Sequence, residues 1–105
     1  SKPQYKDNIE EIRIEGHTDS SGGYIYNMEL SQDRTRSVLA FCLNQITRKD
    51  FEWAKYAITA NGLSSSHPII GKDGKEDADR SRRVEFKIRT NAEKQLEEIA
   101  IKREK

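Results

Sequence analysis

The segment from Ile9 to Asp19 constrains the fold most strongly. From Ile9 to Glu15 isoleucines alternate with charged residues, as in a half-buried strand, and the alternation stops at Gly16. A polar run, His17-Thr18-Asp19, follows directly. In open α/β sheets the chain turns toward the next helix at this edge, and ligands bind there. The segment therefore predicts a strand whose carboxyl end carries a binding site.

The next stretch predicts helix. After a glycine-containing loop, apolar residues recur at spacings of three and four from about Tyr24 to Ile46. A polar gap near Leu30-Ser31 predicts a break, with Ser31 as the N-cap of a long second helix. Cys42 lies in the apolar pattern of that helix, so we expect it to be buried and unreactive.

Two later segments predict strands. One runs from about Lys55 to Ala60, and the other spans Val84 to Ile88, where apolar and charged residues alternate. The order strand, helix, strand predicts a right-handed parallel unit. Residues 63–79 are predicted to form an irregular connection, and Asn91 to cap a last helix that reaches about Lys102.

Composition limits the classes of function. With 105 residues, the chain fits one domain. Its 19 basic and 18 acidic residues nearly balance, which gives no general attraction to polyanions, so nucleic acid is not favoured. No apolar run approaches the roughly 18 residues that would span a bilayer.

Catalysis and metal binding are both disfavoured by the sequence. His17 and Asp19 suggest a hydrolase, yet no serine or cysteine nucleophile has a clear partner, so we expect a non-enzyme. His17, Asp19 and His67 do not show the spacing of a metal site. We expect neither metal nor cofactor, and we expect His17 to hydrogen-bond locally and fix the loop.

A family resemblance emerges from several short motifs in order. Together they resemble the OmpA-like (OmpA/MotB C-terminal) peptidoglycan-binding domain over about Ile9 to Ile88. The motifs are Glu15-Gly16-His17-Thr18-Asp19, Tyr26-Asn27, Leu30-Ser31 with Arg34 and Val38, Gly62 before Pro68, and Arg82-Arg83-Val84-Glu85.

The resemblance implies a fold and a site. The fold would be an α/β sandwich, with helices packed on one face of a mixed sheet. It would bind peptidoglycan without cutting it, through diaminopimelate of the stem peptide, with Asp19 facing the ligand's ammonium and Arg34 its carboxylate. We expect these two side chains to pair when the pocket is empty. The remaining pocket residues implied are Asn27, the backbone of Thr18 and Leu30, and Arg83.

The chain departs from the family pattern in three places. Ser81 stands where the family usually has Asn, and Thr35 where it usually has Ala. Family members also begin with a strand and a helix that eight residues before Ile9 cannot hold. We therefore interpret residues 1–105 as one OmpA-like domain whose first strand and helix are missing upstream, with 91–105 as its C-terminal helix.

The resulting hypothesis is a non-catalytic cell-wall anchor in the periplasm or cell envelope. The domain would lie outside the membrane, its parent would be anchored in one, and a homodimer is compatible with the sequence. The parent could be a porin, a lipoprotein, a motor stator or a defence component. The alternative is a protein–protein interaction module on the same scaffold, in an envelope or stator complex.

Overall fold

The sheet of the computed structural model, which describes residues 8–91, has three strands in the order β2-β1-β3. β1 spans Ile9–His17, β2 Ile58–Gly62 and β3 Arg83–Thr90. The central strand, β1, runs parallel to β2 and antiparallel to β3. This mixed sheet, with helices packed alongside, confirms the predicted fold class.

Between residues 8 and 91, three helices accompany the sheet. α1 spans Tyr24–Gln45, α2 Arg48–Ala57 and α3 Ala78–Ser81. Within the part of the chain that the structure describes, no helix is both long and apolar enough to cross a membrane. The predicted helix from Asn91 to Lys102 lies, beyond its first residue, outside the described residues.

The core sits between β1, β2 and the first two helices. Ile14 at the centre of β1 is fully buried, as are Ala54 and Ala57 on α2. Gly16 and Gly62 are paired in register on β1 and β2. A Cβ on either glycine would come within 3 Å of α1, so both residues let the helix approach the sheet closely.

The predicted break in the first helix is wrong. α1 is one helix of 22 residues with Gly23 at its N-cap, and Ser31 lies in its interior, fully buried. The Ser31 hydroxyl donates to the Met28 carbonyl at 2.9 Å, and the Thr35 hydroxyl donates to the Ser31 carbonyl at 3.1 Å. Because the hydroxyls of Ser31 and Thr35 hydrogen-bond to carbonyls of their own helix, both side chains can face the sheet while α1 stays continuous. Cys42, expected to be buried, is half-buried.

The second strand begins later than predicted, because Lys55 lies in a helix that the sequence reading missed. The buried face of α2 consists of Ala54 and Ala57, one turn apart. Alanines add little to a hydrophobic pattern, whereas the large apolar side chains of Trp53, Tyr56 and Ile58 resemble the pattern of a strand. The strand proper starts at Ile58.

Candidate functional site

The polar run after β1 is held in place by backbone contacts. The Thr18 N–H donates to the Ser64 carbonyl at 2.9 Å, and the Thr18 hydroxyl donates to the Asp19 carbonyl at 2.9 Å. Ser64 lies just past β2, fully buried and in the left-handed backbone region, with φ of 54°. The carboxyl ends of the two parallel strands are therefore joined at the predicted site edge.

Ser64 also ties α1 to this edge. Its N–H donates to the Ser31 hydroxyl at 3.1 Å, and its own hydroxyl donates to the Tyr24 carbonyl at 2.8 Å. One buried serine thus connects the ends of both strands with two turns of the helix. The position of α1 relative to Asp19 is fixed by these bonds.

Asp19 itself is 8% exposed and heavily hydrogen-bonded. Its Oδ1 accepts from the Ser21 N–H at 3.0 Å and from the Ser21 hydroxyl, and its Oδ2 accepts from Arg82 Nη1. The Ser21 bonds and then Arg82 lower the pKa of Asp19 below its usual value. A carboxylate has about four acceptor positions, so three are occupied and one remains for an incoming donor.

Arg82 is the partner of Asp19, and the sequence reading missed it. Arg82 Nη1 donates to Asp19 and Nη2 to Asp79, and the bond to Asp19 raises the pKa of Arg82. The expected pair between Asp19 and Arg34 is wrong. The Arg82-Arg83 motif contained the signal for this pair. Adjacent residues at the start of a strand direct their side chains to opposite sides, so only one of the two arginines can face Asp19.

Arg83, which was predicted near the pocket, occupies the other face of the sheet. It lies opposite His17 in the β1–β3 register, and its Nε donates to Glu85 at 2.7 Å. Its two other guanidinium nitrogens donate to the carbonyls of Ser81 and His67. Arg83 therefore fastens the 63–81 connection to the sheet, and no bond joins it to Asp19.

Asn27 connects the loop to α1. It is buried, and its Nδ2 donates to the Ser21 carbonyl at 2.8 Å and to the Asp19 carbonyl at 3.4 Å. The side-chain amide thus holds the backbone of Asp19 and of Ser21, the residue whose N–H and hydroxyl bond to the Asp19 carboxylate. The structure brings Asp19, Asn27 and Thr18 together.

Arg34 and Leu30 lie farther along α1. Seven residues make nearly two turns, so Arg34 shares a side of the helix with Asn27, roughly 10 Å along the axis. Arg34 is exposed and forms no ion pair with any residue between 8 and 91. Leu30 is half-buried and borders a groove of about 160 Å³ together with Tyr26, Glu29 and Asp33.

The long connection also contacts the site loop. The Ser20 N–H and hydroxyl both donate to the Glu76 carboxylate, the N–H at 3.0 and 3.1 Å. Two further depressions, of about 530 and 500 Å³, are not lined by Asp19. One is lined by residues 71–79 and the other by α1 and residues 60–63.

His17 does not fix the loop as expected. It is 3% exposed, and neither ring nitrogen has a hydrogen-bond partner among residues 8–91. Glu15 Oε1 lies 3.5 Å from His17 Nε2. Burial, followed by the charge of Arg83, lowers the pKa of His17 below its ordinary value. No hydrogen bond joins His17 and Asp19, so the two do not form a catalytic dyad in this structure.

Comparisons with known proteins agree with this geometry. Residues 2–82 match a family described as the OmpA family. The chain is 48% identical over 106 residues to Zorya protein ZorB of Escherichia coli (strain Crooks), covering 90% of this chain and 44% of that protein. It is 32% identical to the probable lipoprotein YiaD of E. coli K12, covering 73% of this chain and 32% of YiaD.

A third similarity is to a Gloeobacter violaceus protein named photosystem I P700 chlorophyll a apoprotein A2. The identity is 34% and covers 77% of this chain, but only 9% of that protein. The chain thus spans less than half the length of each of these three relatives.

Proposed function

The chain belongs to the OmpA family, and we propose that it is a non-catalytic peptidoglycan-binding module. It would hold diaminopimelate of the stem peptide and so anchor a longer parent protein to the cell wall, in the periplasm or cell envelope. The observation that carries the proposal is the Asp19 carboxylate, which is fixed at the carboxyl end of β1 with one acceptor position open.

The chemistry of Asp19 suits an ammonium group. Its lowered pKa keeps it charged at neutral pH, and its bonds to Ser21 and Arg82 hold it in one orientation. A carboxylate that is already oriented loses little conformational entropy when it accepts a further charge-assisted hydrogen bond. The Thr18 hydroxyl and the Asn27 amide both donate to the Asp19 backbone carbonyl and so support that orientation.

Arg34 supplies the complementary charge. A zwitterionic amino-acid centre presents an ammonium and a carboxylate a few ångströms apart, and a planar guanidinium binds the carboxylate through two parallel hydrogen bonds. Among residues 8–91 no carboxylate competes for Arg34, so its donors remain open for a ligand. We also assign Leu30, which lies on the same side of α1 as Arg34, to the wall of the proposed ligand site.

We assign to Arg82, instead of Arg83, the position of the arginine beside the ligand. Since Arg82 already neutralises Asp19, it lowers the attraction that Asp19 exerts on a ligand ammonium, and at the same time it offers a guanidinium beside the ligand. We propose that Arg83 acts at a distance, through the connection that it fastens to the sheet.

A binding assay with purified peptidoglycan sacculi tests the proposal. Asp19→Asn keeps the shape of the side chain and removes its charge, and Arg34→Ala removes an exposed guanidinium. Loss of one partner of a desolvated charge contact typically costs at least about 2 kcal/mol, or roughly 30-fold in affinity. We expect both variants to lose binding by at least that factor.

Arg36→Ala is the matched control. Arg36 is also exposed on α1, two residues from Arg34, and pairs with Asp33 at 2.9 Å. It should bind sacculi as the wild type does. Wild-type binding by Asp19→Asn and Arg34→Ala would contradict the assignment and favour the interaction module, and release of soluble muropeptides would reveal an enzyme.

A further inference from the structure

Three side chains meet on the face of the sheet opposite α1. Glu15 on β1 and Glu85 on β3 are directly paired in register, and His17 follows Glu15 on the same side of β1. One ligand atom from each of the three lies within 4.8 Å of the others. The sequence could not show this set, because only the antiparallel pairing brings Glu85 beside Glu15.

His17 is the unexplained member of this cluster. Its side chain is buried, yet within the part of the chain that the structure describes both ring nitrogens lack a hydrogen-bond partner. The ring of His67 contacts it edge-on, with centroids 5.8 Å apart, which fills space without satisfying either nitrogen. A buried polar group without a partner is rare in native proteins, and an ion or water that completes the site is one of its ordinary explanations.

We propose that Glu15, His17 and Glu85 bind one Zn²⁺ ion. Zinc combines histidine nitrogen and carboxylate oxygen at about 2.0 to 2.2 Å in a tetrahedron, whose neighbouring ligands stand roughly 3.3 Å apart. His17 Nε2 and Glu15 Oε1 are 3.5 Å apart, close to that value. A water would take the fourth position. Calcium and magnesium select oxygen ligands, so a set that includes histidine disfavours them.

The surrounding charges orient the two carboxylates. Arg13 Nε holds Glu15 Oε2 at 3.3 Å, which leaves Oε1 directed at His17, and Arg83 Nε holds Glu85 Oε1 at 2.7 Å. Such outer contacts typically fix metal ligands in place.

The same cations weaken the site. Arg13, Arg83 and Lys87 carry three positive charges against two carboxylates, which opposes the charge of the ion. Lys87 is the easiest to remove, because its side chain is 59% exposed and its Nζ is 3.5 Å from Glu85 Oε2. Loss of an exposed pair of this kind changes a free energy by about 0.2 to 1 kcal/mol. Lys87→Gln should therefore tighten zinc binding about 1.4- to 5-fold.

Calorimetric titration of the metal-stripped chain with ZnCl₂ at pH 7.5 tests the proposal. We expect one site per chain, no binding of CaCl₂, and at least a 10-fold loss of zinc affinity in His17→Gln and in Glu85→Gln. Circular dichroism checks folding. If His17→Gln does not fold, Glu85→Gln decides, since Glu85 is half-buried at a strand surface.

Two control variants identify adventitious zinc. His67→Gln removes the neighbouring imidazole and Cys42→Ser the thiol, and both should bind zinc as the wild type does. Wild-type affinity in Glu85→Gln would overturn the proposal, as would loss of binding in either control. The outcome is independent of peptidoglycan binding, because none of the three ligands contacts Asp19 or Arg34.

Discussion

Replacing Gly62 by alanine should destabilise the fold through the contact between α1 and β2. A Cβ at this position would lie 2.5 Å from the backbone nitrogen and from Cγ of Gln32, and 2.7 Å from the Ser31 hydroxyl. Ordinary contacts begin near 3.4 Å, so the backbone of α1 must retreat by about 0.9 Å. A helix backbone cannot rotate away as a side chain can, and the displacement therefore strains the Ser31 to Ser64 bond.

The cost follows from this overlap. Adding a methyl group to a closely packed contact typically costs about 1 to 3 kcal/mol. Alanine has less conformational freedom than glycine in the unfolded chain, which offsets about 0.4 to 1 kcal/mol of that cost. For a domain of this size, each kcal/mol lowers the melting temperature by roughly 4 to 8 °C. The midpoints of these ranges give a net cost of about 1.3 kcal/mol, so we expect Gly62→Ala to melt about 8 °C below the wild type, with an upper limit of about 21 °C.

Thermal unfolding followed by circular dichroism measures the effect, and Gly23→Ala is the control. No atom lies within 4 Å of a Cβ built on Gly23, and its φ of −77° is open to alanine. This control should remain within about 1 kcal/mol of the wild type, even though Gly23 is the N-cap of α1. Equal melting temperatures for Gly62→Ala and the wild type would refute the close seating of α1 on β2.

Two further predictions concern buried polar groups. Because the pKa of His17 is lowered in the folded chain, the unfolded chain binds more protons than the folded chain below about pH 6.5. The free energy of unfolding should therefore fall as the pH drops through that value, by at most about 1.4 kcal/mol per pH unit. Urea titrations of His17→Gln should lack this slope, and an unchanged slope would contradict the assignment. Ser31→Ala leaves the buried Ser64 N–H without its acceptor and should cost about 1 to 3 kcal/mol in the same assay, whereas no loss would contradict it.

The strands were predictable because their patterns are local. From Ile9 to Glu15 and from Val84 to Ile88, alternation alone identified strands that the structure confirms. α2 was missed because its buried residues are alanines. The continuity of α1 was missed because Ser31 and Thr35, which appear as a polar gap, are buried against glycines on the sheet.

The site was predictable only as far as its motifs reach. The run to Asp19 and the position of Asn27 follow from sequence, and the structure brings them together. The partner of Asp19 does not follow from the sequence. Arg82 lies 63 residues from Asp19, and the side to which its side chain points depends on where β3 begins. The cluster of Glu15, His17 and Glu85 likewise depends on register between strands, which a single sequence leaves open.

Titration of the chain with free diaminopimelate and with Nα-acetyl-lysine amide, a lysine blocked at both α groups, tests the central claim most directly. Blocked lysine offers its side-chain ammonium to Asp19 but has no carboxylate, so it leaves Arg34 without a partner. If Asp19 and Arg34 bind a net-neutral zwitterion in a formed cleft, few counterions are released and binding depends only modestly on salt. The proposal predicts diaminopimelate binding at low salt and at roughly 150 mM salt, with little binding of blocked lysine at either. Equal binding of the two ligands, or loss of diaminopimelate binding when salt is added, would contradict it.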